Sequence, residues 1–580
     1  MNSRPFRLIA ALFLLTPVLH GELASDFRPL VREALKRGEK RIVIPPGIYR
    51  TGPEAGGELW NLTGIENVEI IADGVTLLGT KLMRAISIHR SKNVTLQGLT
   101  LDYDPLPFTQ GQVIAEAKDG NHIDVKLHAG YPRKPYARID VVDPKTRFRK
   151  KGMPFLWCTK AAMIGEHVVR IQLNGIARTA KTGDLVSLST GQETGAPHAI
   201  SIDQCSAIHL KNVTVHSAPG MGIIEADGEG GSSFTGCRII PGPKPAGATE
   251  ERLLSSSWDA FQSKTIRKGP LIENCEIRDA GDDSWSVQSS DFVVLKSDGH
   301  TVVLASRDEF TVGVQAGDRL RAQVEGPEFK ITSTNVVSRD AAGLAPEVLD
   351  KLRTAATWSF WKVGPKCIVV TLDHESPLKP GDSVYSPDRM GNGFVFRNNR
   401  IHSPGRVLLK AGGLMEGNML DTPHALVVCP EVPDAGAAGI ENLTIRNNTI
   451  RRAGWFCAAP WSSQAGALSL TATGGRSEMR SVPVFRNVLI EGNLFDSCSG
   501  PNLVIASAKG VVIRNNRFIS AQHDPPPNTG ASYSIPANPV IWATECEDIS
   551  LEKNAIENTG SFAGKPIQTS KGVRNAKGFE

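Results

Sequence analysis

A short repeated unit constrains the fold of this chain more than any other feature of its sequence. The unit is an Asn, usually preceded by Gly or Asn and followed two positions later by an apolar residue. It recurs at Asn399, Asn418, Asn448, Asn493, Asn516 and Asn554. Strand-like runs of β-branched residues flank it, which is typical of a solenoid with one coil per repeat of roughly 20 to 25 residues. We predict an all-β fold, a right-handed parallel β-helix of the pectate-lyase-like kind, whose turn Asn side chains stack in a hydrogen-bonded ladder.

Two cysteines occupy the position that Asn holds in the other repeats. Cys237 stands in TGCRI and Cys275 in ENCEI. A Cys at this place is expected to fill space in a buried turn as a small apolar group. The chain has nine Cys, an odd number, so at least one thiol is unpaired. We predict that Cys237 and Cys275 are reduced and stacked on neighbouring coils, and that few disulfides form.

The repeat is interrupted twice in a similar way. Residues 105–198 and 289–390 show hairpins with Asp-Gly turns, and each segment closes with Gly-Asp before a short strand. Two small inserted β-barrels are the prediction, and long decorated loops are the alternative. The expected organisation is a signal peptide 1–21, an N-terminal cap and first coils 22–104, an inserted barrel 105–198, coils 199–288, a second barrel 289–390, coils 391–568 and a tail 569–580.

The ends and the composition of the chain limit its location and partners. Arg4 and Arg7 precede an apolar run too short to span a membrane, the pattern of a secretory signal. We expect export to the periplasm or the medium without membrane insertion. A net charge of +5 over 580 residues, with no Lys/Arg block, does not favour nucleic acid as a partner. No paired His or CxxC spacing appears, so no metal or other cofactor is expected, and a homo-oligomer is left open.

Three aspartates are the candidate catalytic residues. Asp259 precedes Asp282 by 23 residues and Asp283 by 24, about one coil. Positions one coil apart stack at about 4.8 Å, so the three carboxylates should share one face. Crowded carboxylates repel, so one is expected to keep a proton near neutral pH, and a protonated acid facing an ionised base is what a glycosidase requires. The alternative interpretation is an ordinary turn at Gly281-Asp282-Asp283.

Adjacent strand residues point to opposite faces. If Asp282 and Asp283 both serve the same site, one of them must therefore sit in a bulge or bend. Gly281 directly before the pair would permit such a bend.

Two cations are candidates for substrate binding. Arg406 and Lys410 lie in the first coil after the second interruption, so we expect them beside Asp282. A cation there would bind a sugar hydroxyl or hold a carboxylate ionised. A solvated coil edge is the alternative, since Lys and Arg are mostly exposed.

Glu225 and several tryptophans are further candidates. Glu225 precedes Asp259 by 34 residues and is expected to line the same groove. Trp285, together with Trp258, Trp455 and Trp461, could stack on the apolar face of a sugar, although burial in a core is the commoner use of Trp.

Taken together, the coil pattern, the stretch LDYDPLPFTQG at 101–111, the two β-rich insertions and the D…RKGPLIENC…GDD core resemble glycoside hydrolase family 110. That family consists of exported bacterial exo-α-galactosidases acting on terminal α-1,3-linked galactose in blood group B-type and linear glycans. The resemblance covers nearly the whole mature chain, although Ala260 and Trp285 depart from the family's pattern. It implies inverting hydrolysis, with Asp282 as general acid and Asp259 with Asp283 holding the attacking water.

Three other functions stay open at this point. The polygalacturonase-like family 28 shares the three-acid arrangement, but this chain lacks a clear GHG segment and the RIK triplet expected there. A β-helical polysaccharide lyase would use Ca²⁺ with an Arg or Lys base on acidic sugars. A non-catalytic β-helix adhesin would bind glycans without turnover. Sensitivity to a chelator would indicate the lyase, and binding without turnover the adhesin.

Overall fold

Parallel strand pairing dominates the computed structural model of the protein, which describes most of residues 26–579. It leaves out 154–155, 158–159, 174–178, 191–196, 290, 307–312, 345, 348–365, 431–437, 457–463, 476–477 and 527–532. The predicted signal segment 1–21 and Trp461 therefore lie outside the described residues. Within the described part, none of the helices has the length and apolar character needed to cross a membrane.

The chain begins with a helix that covers one end of the β-helix. In α1 (Arg28–Lys36) the buried Val31 and Ala34 lie one helical turn apart, on the face toward the first coils. The Phe27 ring packs edge-on against Trp60 at 4.8 Å. The predicted capping helix is thus confirmed. The first coils that it covers comprise β1 (Arg41–Val43), β2 (Gly47–Thr51), β3 (Trp60–Thr63), β4 (Glu66–Ile71), β5 (Val75–Gly79), β6 (Ile86–His89), β7 (Lys92–Gln97) and β8 (Thr100–Tyr103).

The first insert is an antiparallel sheet between the first and middle coils. It consists of β9 (Phe108–Glu116), β10 (His122–Leu127), β11 (Arg138–Val142), β12 (Leu156–Trp157), β13 (Lys160–Gly165), β14 (Val168–Gln172) and β15 (Leu185–Ser189). Their order in the sheet is β12-β11-β15-β9-β10-β14-β13, and the terminal strands β12 and β13 do not pair among the described residues. The predicted closed barrel is therefore wrong for this insert. The sheet has an apolar core of its own, and Gln110 on the other side bonds Glu251 and Leu253 near the middle coils.

The middle coils carry the three candidate aspartates. They comprise β16 (Ile200–Asp203), β17 (Ser206–Lys211), β18 (Thr214–Val215), β19 (Ile223–Ala226), β20 (Ser233–Thr235), β21 (Arg238–Ile239), β22 (Phe261–Lys264), β23 (Leu271–Glu273), β24 (Glu276–Arg278) and β25 (Trp285–Gln288).

The second insert is a closed six-stranded barrel, so the barrel prediction is confirmed here. Its strands are β26 (Asp291–Asp298), β27 (Thr301–Ser306), β28 (Arg319–Ala322), β29 (Glu328–Ser338), β30 (Lys366–Leu372) and β31 (Ser383–Tyr385), and a short 3-10 helix (Pro387–Arg389) follows. Asp291 pairs with Tyr385, so the chain enters and leaves the barrel side by side.

The last coils run to the end of the described chain. They comprise β32 (Phe394–Arg397), β33 (Arg400–His402), β34 (Val407–Leu409), β35 (Gly413–Glu416), β36 (Met419–Asp421), β37 (Leu426–Val428), β38 (Ile440–Arg446), β39 (Thr449–Arg451), β40 (Leu468–Leu470), β41 (Thr473–Gly475), β42 (Glu478–Met479), β43 (Phe485–Glu491), β44 (Leu494–Asp496), β45 (Leu503–Arg514), β46 (Arg517–Ile519), β47 (Ile541–Glu552), β48 (Ala555–Glu557), β49 (Ile567–Thr569) and β50 (Arg574–Lys577).

Each complete coil contributes strands to three parallel faces. The first face runs β3-β6-β16-β19-β22-β25-β34-β37-β40-β45-β47-β49. The second runs β1-β4-β7-β17-β20-β23-β32-β35-β38-β43-β45-β47-β50, because the long strands β45 and β47 serve both faces. The remaining twelve coil strands form the third face. One apolar core lies between the faces, and the predicted parallel β-helix is confirmed.

The Asn ladder lies at the turn before the third face. The Oδ1 atom of Asn418 accepts from the backbone N–H of Asn399 at 2.9 Å and from its Nδ2 at 3.1 Å. The same pair of bonds repeats along the last coils to Asn554. Asn399 in turn accepts from the backbone N–H of Cys275 at 2.8 Å. The ladder therefore satisfies buried polar groups that the turns would otherwise leave unpaired.

The cysteines continue the ladder without disulfides. The pairing of β21 with β24 places Cys237 and Cys275 on neighbouring coils, and both thiols are free and buried. The Cys275 thiol donates to the Phe234 carbonyl at 3.3 Å. The predicted reduced stack is confirmed in the structure, and all seven Cys among the described residues are free. Cys158 and Cys457 lie outside them.

Candidate active site

Strand register brings the three aspartates together at the start of the first face. Phe261 of β22 pairs with Trp285 of β25, an offset of 24 residues, and the bridge between Ser256 and Ala280 keeps the same offset. Asp259 therefore lies beside Asp283 on the next coil, and the Ala260 N–H donates to the Asp283 carbonyl at 2.9 Å. The spacing along the sequence predicted this juxtaposition.

A bend at Gly281 and Asp282 gives the two adjacent acids different surroundings. A Cβ atom at Gly281 would lie 2.5 Å from the Ser257 carbonyl oxygen, so only glycine allows the two coils to approach so closely. The side chain of Asp282 is 29% exposed and that of Asp283 is 12% exposed. Asp282 thus faces solvent more than its neighbour, while Asp259 is buried.

Each of the two stacked acids has polar partners on the same face. The Asp259 Oδ2 atom accepts long hydrogen bonds from Gln262 and Ser286, both at 3.4 Å. The Asp283 Oδ1 atom accepts from Arg406 Nε at 2.9 Å. Arg406 was expected beside Asp282, and it lies instead against Asp283. A guanidinium in this contact stabilises the ionised form of that carboxylate.

Arg406 is itself held by two residues that the sequence did not indicate. Its Nη1 atom donates to Gln464 Oε1. His424 donates from Nε2 to the Gln464 carbonyl at 2.8 Å, which assigns the ring proton to Nε2. Burial, with Arg406 nearby, lowers the pKa of His424 to about 3, so the imidazole is neutral. Gln464 lies 58 residues after Arg406, and no local motif marks either residue.

Arg138 from the first insert is another side chain that sequence reasoning missed. It is 1% exposed and donates from Nη1 to the Ser257 carbonyl at 2.8 Å. Its Nη2 atom donates to the Gly281 carbonyl and, at 3.3 Å, to Asp282 Oδ2. The guanidinium also lies over the indole of Trp258, 5.4 Å from the ring centroid. The insert therefore forms part of the wall around the acids.

Lys410 lies farther along the same face than Arg406. Its backbone N–H donates to the Val287 carbonyl at 2.8 Å, directly after β34. The buried ammonium group is 3.5 Å from Asp291 Oδ2, at the start of the second insert. A printed contact with Asp282 is absent from the part of the chain that is described, so Lys410 is placed at the junction with the barrel.

Two predicted binding residues point into the core instead, and those predictions are wrong. Trp285 is fully buried, and its indole stacks on Phe396 at 4.7 Å with an interplanar angle of 6°. Glu225 has the same inward orientation, because its register partner is Ser263, on the side of the strand that also carries Phe261. Its Oε1 atom accepts from Ser232 at 2.5 Å, and burial raises its pKa to about 7.

The other described tryptophans differ in position. Trp258 is partly exposed and directly precedes Asp259. Trp455 is also partly exposed, with the Lys151 ammonium 6.0 Å from its ring centroid. Trp258 is therefore the aromatic side chain next to the acids in the sequence and in the fold.

A fourth acid lies close by without having been predicted. Burial raises the pKa of Asp279 to about 6, although His402, Arg278 and Arg147 oppose the shift. It lines a small cavity between the first insert and the coils, together with Phe148. No cluster of three or more His, Cys, Asp or Glu side chains suited to a metal ion occurs within the described ranges.

Comparison with known proteins gives one curated relative and a set of distant structures. No protein-family model matches the chain. It is 21% identical over 570 residues to alpha-1,3-galactosidase B of Akkermansia muciniphila, which covers 88% of this chain and 66% of the relative. The chain thus spans slightly less than two thirds of that relative's length.

Solved structures with a similar trace are much more distant in sequence. A family 28 exopolygalacturonase of Yersinia enterocolitica has a TM-score of 0.41 and 11% identity, covering 92% of this chain and 72% of that one. The catalytic domain of a GH87 α-1,3-glucanase in complex with tetrasaccharides has a TM-score of 0.32 and 12% identity, covering 96% and 71%.

Proposed function

We propose that the protein is an exo-acting glycoside hydrolase that releases terminal α-1,3-linked galactose from glycans with inversion of configuration. The observation that carries the proposal is the register that sets Asp259 beside Asp283 on neighbouring coils, with Asp282 at the bend next to them. The name of the curated relative, an α-1,3-galactosidase, supports the substrate. So does the sequence resemblance to glycoside hydrolase family 110.

The surroundings of the acids support a division of roles. Asp282 is the more exposed of the adjacent pair, as suits a general acid that must reach the glycosidic oxygen. Its proton passes to that oxygen as the bond to the anomeric carbon breaks. Asp259 and Asp283 hold a water on the opposite side of the sugar ring and take its proton as the water attacks. Arg406 keeps Asp283 in the ionised form that a base requires.

The test is a panel of terminal α-1,3-, α-1,4- and α-1,6-galactosides, followed by proton NMR of the fresh reaction. We expect free galactose mainly from the α-1,3 isomers, with the β-anomer appearing first and no effect of a chelator. Equal rates on the three linkages would contradict the substrate assignment. The α-anomer appearing first would indicate a covalent intermediate and contradict inversion.

The same panel separates the alternative functions. Loss of activity with a chelator, together with unsaturated products from acidic polysaccharides, would indicate a lyase. Glycan binding without any product would indicate an adhesin. The signal-like segment 1–21 supports export, and N-terminal sequencing of protein recovered from the periplasm or medium tests it.

A further inference from the structure

Arg138 is placed on the first insert by the alternation of its strand. Along β11, Ile139 and Val141 point into the core of the insert. Arg138 and Asp140 therefore point to the opposite side of the sheet. Arg138 pairs in register with Ser189 of β15, whose neighbour Thr190 donates to the Pro219 carbonyl of the middle coils at 2.5 Å. The polar side of the insert sheet thus lies directly on the coils that carry the acids.

The contacts of Arg138 connect the two coils of the site. Ser257, whose carbonyl it binds, is two residues before Asp259. Gly281, whose carbonyl it also binds, directly precedes Asp282. A guanidinium is a rigid planar fork with donors in fixed directions, so the two carbonyls cannot move apart while both bonds persist.

We propose that Arg138 is a positioning residue that fixes the Asp282 carboxylate relative to Asp259, and that the first insert is therefore part of the active site. This inference rests on the proposed function and adds a residue to its machinery. The bend at Gly281 holds the acid at the end of a short segment without strand pairing of its own. Arg138 ties this segment and its carboxylate to the preceding coil, and a displacement of about 1 Å at a catalytic group costs on the order of 100-fold in rate.

The first experiment compares Arg138→Met, Arg138→Lys and, as control, Arg170→Met in the full chain. Arg170 belongs to the same insert but pairs with Asp124 on its exposed side. We expect Arg138→Met to lower kcat by about 100-fold with KM within about 3-fold of the wild type. The control should keep wild-type kinetics. Arg138→Lys should stay impaired by at least about 10-fold, since an ammonium cannot reproduce the fork.

Chemical rescue gives a readout that a general loss of stability would not move. Arg138→Ala leaves a buried space shaped for a guanidinium, so added guanidinium at millimolar concentration should restore part of kcat. The control variant should not respond. Full activity of Arg138→Lys, or Arg138→Ala that guanidinium does not improve, would overturn the positioning role.

Hydrogen exchange of the same variants tests the inference without any substrate. Arg138→Met should speed exchange of the amides in 256–284, including Gly281, whose N–H bonds to the Ser256 carbonyl at 2.9 Å. The Asn ladder coils at 485–519 should exchange as in the wild type. If the wild type releases no galactose, the proposed function fails, and exchange alone then decides whether Arg138 ties the coils. Unchanged exchange in 256–284 would overturn that contact as a brace.

Discussion

The adjacent acids Asp282 and Asp283 differ in exposure and partners, which predicts different kinetic effects for isosteric variants. Asp282→Asn should nearly abolish turnover of natural glycosides, because protonation matters most for a poor leaving group. It should spare activated aryl α-galactosides, which leave without a proton. Asp283→Asn and Asp259→Asn should slow both substrate types, by about 10²-fold or more, since the base that activates the water is lost. Steady-state rates on the two substrate types measure this difference.

Ser233→Ala serves as a matched control for the acid variants, because Ser233 lies on the second face of the β-helix. Its rates should equal those of the wild type on both substrates. An Asp282→Asn variant that loses aryl and natural substrates equally would contradict the acid assignment.

Glu225 makes stability depend on pH, because burial raises its pKa to about 7 from a model value of 4.5. Between these two values the folded protein binds more protons at this site than the unfolded chain. The free energy of unfolding must therefore fall as the pH rises through that window. Glu225→Gln removes this dependence while keeping the acceptor for Ser232. We expect the variant to gain on the wild type as the pH rises from 5 to 8, by on the order of 3 kcal/mol.

Urea unfolding of the wild type and Glu225→Gln at several pH values measures that gain. Glu557→Gln, at an exposed position of the third face, is the control and should track the wild type. A difference between Glu225→Gln and wild type that does not change with pH would contradict the buried-acid argument.

At the residue scale, the sequence identified the acids better than the groups around them. Spacing alone revealed the stacked aspartates, since one coil is a fixed length. The inward orientation of Trp285 was also available, because Val287 marks the same side of its strand as apolar. For Glu225 the signal was ambiguous, since Ile223 and Ile224 are both apolar and leave the parity of the strand open. Arg138 reaches Asp282 from 144 residues away, and no pattern in a single sequence encodes that contact.

At the scale of the elements, the ladder turn determines the state of the cysteines. Cys237 and Cys275 occupy Asn positions inside the β-helix, and their sulfur atoms contact backbone carbonyls. We predict that at least seven of the nine thiols react with a thiol reagent in denatured protein that was never reduced, because seven are free in the structure. Prior reduction serves as the control and defines all nine. Eight cysteines in disulfides would contradict the stacked arrangement.

The two inserts show how far element patterns carry. Matching hairpins and Gly-Asp segments predicted the same fold for both, yet one is a closed barrel and the other a sheet with unpaired terminal strands among the described residues. Strand patterns do not reveal which side of an inserted sheet will lie on the solenoid. The polar side of β11 carries that information only after the fold is known.

At the scale of the whole molecule, periodicity was sufficient to predict the β-helix, because each coil satisfies the same local pattern and contacts only its neighbours. How the inserts attach to it was not predictable, since this depends on buried ion pairs between distant segments. Asp318 of the barrel is fully buried and binds Arg267 and Arg389, each at 2.6 Å. Arg389 is also fully buried and follows the barrel in the chain.

This ion cluster should hold the barrel on the β-helix. Asp318→Asn keeps the shape of the side chain but leaves the charge of Arg389 without its buried carboxylate, which typically costs about 3–5 kcal/mol. We expect the variant to unfold at lower urea concentration, with protease cleavage beginning in 291–385 while the coils stay intact. Asp340→Asn, at an exposed position of the same insert, should behave as the wild type. Cleavage that begins in the coils, or an unchanged urea midpoint for Asp318→Asn, would show that apolar contacts alone dock the barrel.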